Sequence, residues 1–163
     1  MPIEFTYNKQ DVINALRFHF WHRGEIRVLR ITFLVLAILT IAGYMTEYVN
    51  LNALVMIMTM VVVLYGGIYF LLPISTYNKA ATFKDSIHLR WNENGILITT
   101  NKSERVQEWK RFKHVIETKT FFYLYRDAKS FFLIPTNAFE SEADRQAFSL
   151  YLQQIYTNYR ITY

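Results

Sequence analysis

Residues 31–78 read ITFLVLAILTIAGYMTEYVNLNALVMIMTMVVVLYGGIYFLLPISTYN, and this stretch decides the fold. Glu47 is its one charged residue; none stands between Ile31 and Thr46 or between Tyr48 and Asn78. A helix needs about 20 mostly apolar residues to cross about 30 Å of hydrocarbon. The first run reaches that length from Val28 if Arg30 carries its guanidinium to the interface. The second supplies it outright, from Leu51 to Ile74. Residues 27–78 therefore predict a transmembrane helical hairpin, with spans over about 28–46 and 51–74. No ionisable side chain other than Tyr lies in the central part of either span, which argues against an ion pathway, proton relay or transport site. The first run begins behind a charged amphipathic segment, lacks a small-x-small cleavage site and is followed at once by a second, so it is not read as a cleaved signal.

Composition agrees with one apolar block between ordinary flanks. The 163 residues are 52% hydrophobic and 17% aromatic, yet mean hydropathy is only +0.07 because the apolar mass is concentrated. The net charge of +5 contains no basic run of the kind that forms a nucleic-acid arm. With no cysteine, disulfides, thiolate metal sites and thiol nucleophiles are excluded together.

The distribution of Lys and Arg sets the expected orientation. Arg17, Arg23, Arg27 and Arg30 precede the first span, Lys79 and Lys84 follow the second, and the connecting loop carries neither type. Positive-inside reasoning places both termini in the cytoplasm of a multi-pass protein of the bacterial inner membrane. Trp21, Arg23, Arg27, Arg30, Tyr77 and Lys79 are the expected interfacial anchors, with Tyr44 and Tyr48 near the outer turn. Gly66 and Gly67 would allow close helix approach, but Phe70 follows Gly66 by four, so there is no GxxxG. Pro73 reads as the exit from the second span.

The flanks read as α+β. Ile3, Phe5 and Tyr7 alternate with Glu4 and Thr6, a short strand that must pair with something later in the chain. Asn8 is placed to cap a helix running to His22, with Val12, Ile13, Leu16 and Phe20 near one face. That helix is expected either to lie along the cytoplasmic interface or to pack against the soluble part; residues 1–26 form an N-terminal strand and amphipathic helix. Beyond Ala80, alternation over 82–91 predicts a strand, and AsnGluAsnGly at 92–95 a turn suited to positive φ. Further strands are expected over 95–100, about 106–118, 120–125 and 130–134. Ser141 with Asp144 three residues on predicts a helix start, and Ala147, Phe148, Tyr151, Leu152 and Ile155 recur at helical spacing. Residues 79–163 thus predict an antiparallel β meander of roughly five strands closed by a C-terminal amphipathic helix, the outline of a pleckstrin-homology-like (PH-like) barrel.

Particular words sharpen this reading. SerGluArgValGlnGluTrpLysArgPheLysHisValIleGluThr (103–118), PhePheTyrLeuTyr (121–125) and PhePheLeuIleProThrAsnAlaPheGluSer (131–141) resemble the C-terminal domain of the YcxB-like family. The upstream strand, helix and two-span hairpin are also similar to that family's layout. The resemblance implies a membrane-tethered PH-like domain and no defined activity. The family often places a basic residue directly after the Pro; Thr136 and Asn137 stand there instead, which weakens any phosphate-gripping role for this corner.

No catalytic constellation is legible. His19 and His22 lack the acidic or thiol companions of a metal site, Glu93, Glu104, Glu108 and Glu117 lack an acid–base partner, and no nucleotide, nucleophile-elbow or zincin motif occurs. The expectation is a non-enzymatic protein with no cofactor and no metal. Trp109 reads as a core or sheet-edge anchor. Lys102, Arg105, Lys110, Arg111 and Lys113 cluster around 106–118 and are the candidate lipid- or partner-facing residues, weighed against a solvated face balanced by Glu104, Glu108 and Glu117. Two functions fit: a membrane-anchored binding or scaffold module docking a partner protein or anionic lipid, and an immunity protein neutralising a cognate secreted toxin. The expected partners are the lipid bilayer and an envelope protein or toxin, not nucleic acid, with homo-oligomerisation left open.

Overall fold

The computed structural model describes residues 2–100 and 103–162. The chain is α+β and divides into two compact units, Val12–Ala80 and Met1–Asp11 with Ala81–Tyr163.

The helical unit follows from the apolar runs. Helix α1 spans Lys9–His22, with the Asn8 side chain accepting from Gln10 N at 2.8 Å. Its stripe of Val12, Ile13, Leu16 and His19 is buried. Helix α2 covers Gly24–Met45, and α3 begins at Leu51 and ends at Gly66. The helix does not exit at Pro73 as the sequence suggested. It continues through a π-helical turn, Gly67–Leu71, into α4, Leu72–Lys79. Pro73 has no N–H for the carbonyl of Tyr69 and its ring crowds that group, so the preceding turn opens while the axis continues. The result is two helices long and apolar enough to cross a membrane, Gly24–Met45 and Leu51–Lys79.

Hydroxyls in these helices are satisfied locally: Thr40 Oγ1 donates to Leu36 O at 2.8 Å and Thr76 Oγ1 to Leu72 O at 2.9 Å. The helices meet at a tight turn in which Glu47 has φ 64°. Val49 N donates there to Gly43 O at 3.0 Å. Gly66 and Gly67, where the sequence allows close helix approach, have little around them, and the crowded glycine is Gly43, against the turn residue Val49. A Cβ on Gly43 would lie 2.8 Å from Val49 Cγ2, whereas one on Gly66 would meet nothing within 4 Å.

The β unit contains two four-stranded sheets, ordered β1-β2-β3-β4 and β7-β6-β5-β8. Strand β1, Pro2–Phe5, pairs antiparallel with β2, Ile87–Asn92, setting Pro2 opposite Arg90 and Phe5 opposite Ile87. The expected strand over 82–91 starts late because Ala81–Lys84 is a 3₁₀ turn. Strand β3 is Gly95–Thr100 and β4 Glu104–Glu108. The single β region expected over 106–118 is broken by a 3₁₀ turn at Trp109–Arg111, after which β5, His114–Glu117, belongs to the other sheet. Strands β6, Phe121–Tyr125, and β7, Phe131–Pro135, form the hairpin read from sequence. Helix α5, Glu142–Ile155, starts at the Ser141 cap, whose Oγ accepts from Asp144 N at 3.1 Å. Strand β8, Tyr159–Ile161, then adds parallel to β5 and was not anticipated.

One core joins both sheets to α5: Ile87, Leu89 and Ile96 from the first, Val115, Phe122 and Leu124 from the second, Phe148 and Leu152 from the helix. On α5 the apolar stripe is narrower than its spacing suggested, since Ala147 and Ile155 are exposed. Strand β6 is buried on both faces, which is why it reads as an unbroken aromatic run and not as an alternation.

Candidate functional site

The turn at 92–95 fixes the corner from which the basic segment departs. Asn92 Oδ1 accepts from Asn94 N at 2.9 Å and Gly95 N at 3.1 Å. No glycine among the described residues has positive φ, so Gly95 is not there for the left-handed conformation the sequence suggested. It is there for space: a Cβ would stand 2.4 Å from the Gln107 carbonyl oxygen. Trp109, 4% exposed, donates its indole N–H to Asn92 O at 2.7 Å. Tyr156 Oη donates to Trp109 O at 2.7 Å, and Tyr151 packs edge-on against the indole at 5.6 Å. Trp109 is thus the pin about which the chain passes from one sheet to the other.

From this corner the candidate cations project outward. Arg105 on β4, Lys110 and Arg111 on the 3₁₀ turn, and Lys113 before β5 are all exposed. Among the described residues none of the four has a carboxylate within 4.0 Å. Lys102 lies outside the described residues.

Glu117, counted from sequence as part of a balancing solvated face, is 1% exposed and faces the core side of its sheet. Arg145 Nη1 donates to its Oε1 at 2.5 Å and Ser149 Oγ to its Oε2 at 2.7 Å. The Tyr159 hydroxyl donates to the same Oε2. Burial, and then this carboxylate, pushes the Tyr159 phenol above its ordinary value. Arg145 also holds Glu142, at 2.5 Å. The network ties β5, α5 and β8 together and removes one carboxylate from the basic surface. Sequence reasoning missed it; the available signal was a Glu in phase with the buried Val115 of the same strand.

Thr136, which stands where the family often has a basic residue, donates its Oγ1 to Lys119 O at 2.8 Å and its N–H to Thr120 O at 2.9 Å. It therefore pins a turn. His114 stacks on Tyr125, centroids 4.4 Å apart and rings 9° from parallel. Burial and then Arg160 lower its pKa, which leaves it neutral near pH 7.

The expected anchors of the helical unit divide. Trp21 is exposed and meets Tyr65 and Tyr69 edge-on at 6.3 and 6.0 Å. Arg30 lies over the Trp21 ring at 4.5 Å, and Arg23 pairs with Glu25 at 3.0 Å. Arg27 and Lys79 are exposed. Tyr77 is buried, as is Pro73 four residues earlier on the same face of α4. His19 is buried while His22 is exposed, with Nδ1 2.8 Å from Phe18 O.

Residues 91–152 match the family model described as YcxB-like protein, the family that the motifs at 103–141 resemble. The matched region contains the Trp109 corner, the basic segment, Glu117 and Arg145, and it stops before Tyr159. No curated protein and no solved structure matches the chain.

Proposed function

We propose that this is a non-enzymatic, two-span protein of the bacterial inner membrane whose cytoplasmic PH-like domain docks a partner protein through the basic segment Arg105–Lys113. The observation that carries the membrane part is the pairing of β1 with β2, Pro2 opposite Arg90. The strands that flank the hairpin in sequence, Pro2–Phe5 and Ile87–Asn92, share one sheet, so they lie on one side of any membrane and the chain between them crosses it an even number of times. The apolar windows of both helices are only 6% buried, with Leu39 63%, Val62 66% and Met56 69% exposed, a surface suited to lipid and not to water. The Lys and Arg residues before α2 and after α4, against Glu47 alone in the turn, support cytoplasmic termini.

Two sheets closed by a C-terminal helix support the PH-like reading. The exposed cations Arg105, Lys110, Arg111 and Lys113, with no carboxylate within 4.0 Å among the described residues, support docking. Charge of this kind governs encounter and specificity.

The test is a mild-detergent pull-down of tagged full-length protein from its native membranes, read by mass spectrometry. A stoichiometric envelope protein that is lost from the Arg105/Lys110/Arg111/Lys113→Gln variant supports the assignment. A partner encoded next door and toxic on its own moves the function to immunity. An eluate holding lipid alone removes the protein-docking role.

A further inference from the structure

Arg17 and Arg30 line one cleft of the helical unit together with Trp21, Tyr65, Tyr69 and Pro73. Both guanidinium groups are held by ring faces. Arg30 stands 4.5 Å over Trp21, and Arg17 stands 5.2 Å over Tyr69 and 5.5 Å over Phe70. A ring face attracts the cation but accepts none of the in-plane N–H donors of the guanidinium fork. Arg17 Nε is buried without a hydrogen-bond partner, its Nη1 reaching only Asn14 Oδ1 at 3.2 Å. Among the described residues, Arg30 has no hydrogen-bonding or carboxylate partner, and no carboxylate lines the cleft. A buried donor such as Arg17 Nε needs an acceptor from somewhere. The wall bearing Tyr69 and Phe70 is the π-helical turn Gly67–Leu71, a distortion that concentrates at functional positions.

The rest of the cleft is mainly apolar, with Ile26, Leu29, Phe33 and Ile68 in its lining. The cleft is partly open to its surroundings, so a ligand need not be enclosed to reach both guanidinium groups. A ligand that inserts one anionic group and leaves its bulk outside meets both conditions. Basic pockets between spans at the cytoplasmic side are of the kind that takes anionic headgroups.

We propose that this cleft binds an anionic glycerophospholipid, its phosphate held by Arg17 and Arg30 and one acyl chain lying along Leu29 and Phe33. The inference rests on the membrane reading above. It is tested by native mass spectrometry of the full-length protein in neutral detergent, offered phosphatidylglycerol and phosphatidylcholine of identical chains. Wild type is expected to retain phosphatidylglycerol about thirtyfold over phosphatidylcholine, the scale set by two cations at a bilayer surface. The Arg17→Gln/Arg30→Gln variant should fall to parity, and Arg126→Gln should keep the preference. Parity in wild type, a measurement that needs no variant to fold, overturns the proposal. So does retention of the preference in the double variant. Displacement of the lipid by millimolar inorganic phosphate would assign a free-phosphate site instead, and overturns it too. Alkaline carbonate extraction separates the two layers of argument: release from native membranes sinks the membrane reading, whereas retention without lipid preference sinks this proposal alone.

Discussion

Arg145 and Glu117, 28 residues apart in sequence, meet at 2.5 Å with the carboxylate 1% exposed and the arginine side chain 19% exposed. An ion pair placed this way contributes little beyond what an apolar pair would, yet breaking it leaves a buried charge without its partner. Arg145→Met should therefore lower unfolding free energy by about 3 kcal/mol, more than exposed-surface substitutions cost. Arg145→Met/Glu117→Leu should recover most of that loss. Chemical denaturation of both variants in detergent measures the difference; equal stability of the two would show that Glu117 is not a lone charge in the single variant.

Gly95 is fixed by the Gln107 backbone, 2.4 Å from where a Cβ would stand. Backbone cannot rotate away as a side chain can, so Gly95→Ala must part β3 from β4. The expected cost is about 2–3 kcal/mol, in the range of overpacked sites. Gly66→Ala, with open space around it, should be neutral. Thermal unfolding of the pair distinguishes a tight position from a merely flexible one.

Glu47 holds φ 64° in the turn between the long helices. A side chain in this region costs about 1–2 kcal/mol, a penalty glycine does not carry. Glu47→Gly should raise the unfolding midpoint, and Gly43→Val should lower it through the Val49 contact. A fall in the first variant would mean that the Glu47 side chain stabilises the turn by more than the strain costs.

Burial, and then the charge of Arg23, push the His19 imidazole down to about 4, with Glu25 pulling weakly the other way. In the unfolded chain it titrates near its ordinary value of about 6.5, so between these values the unfolded chain binds a proton that the fold refuses. Stability is then complete above pH about 6.5 and declines as pH falls toward 4, by about 2 kcal/mol. His19→Gln should flatten this part of the stability–pH curve. An unchanged slope would assign the acid sensitivity to another group.

Topology has a direct readout. A reporter active only in the periplasm should be silent when fused after Tyr163 and active when inserted at Tyr48. Activity at both positions, or at Tyr163 alone, would overturn the cytoplasmic assignment of the termini.

The elements that the sequence disclosed were those with one dominant local cause. Long apolar runs, the Asn8 and Ser141 caps, and the Phe121–Pro135 hairpin were legible because length, side-chain acceptors and a polar turn between two apolar runs act within a few residues. What was hidden depended on distant partners. Trp109 ends a strand because Asn92 and Tyr156 hold it, so alternation alone ran through it from 106 to 118. Glu117 is buried because Arg145, Ser149 and Tyr159 converge on it from elements not yet formed at that point in the chain. Strand β8 is three residues with no alternation, and only its parallel pairing with β5 makes it a strand. The candidate cations were readable as a cluster; that the four described ones have no carboxylate within 4.0 Å among the described residues was not.

The pairing of β1 with β2 also imposes an order on synthesis. Strand β1 leaves the ribosome early, but Ile87–Asn92 does not exist until both apolar helices have been made. The sheet cannot close on a chain whose hairpin is unfinished or has been threaded through the membrane an odd number of times. Until then β1 remains an unpaired edge, the kind of segment that invites aggregation or proteolysis. On the two-span reading proposed above, closure of β1 on β2 is open only to chains whose hairpin has crossed the membrane an even number of times.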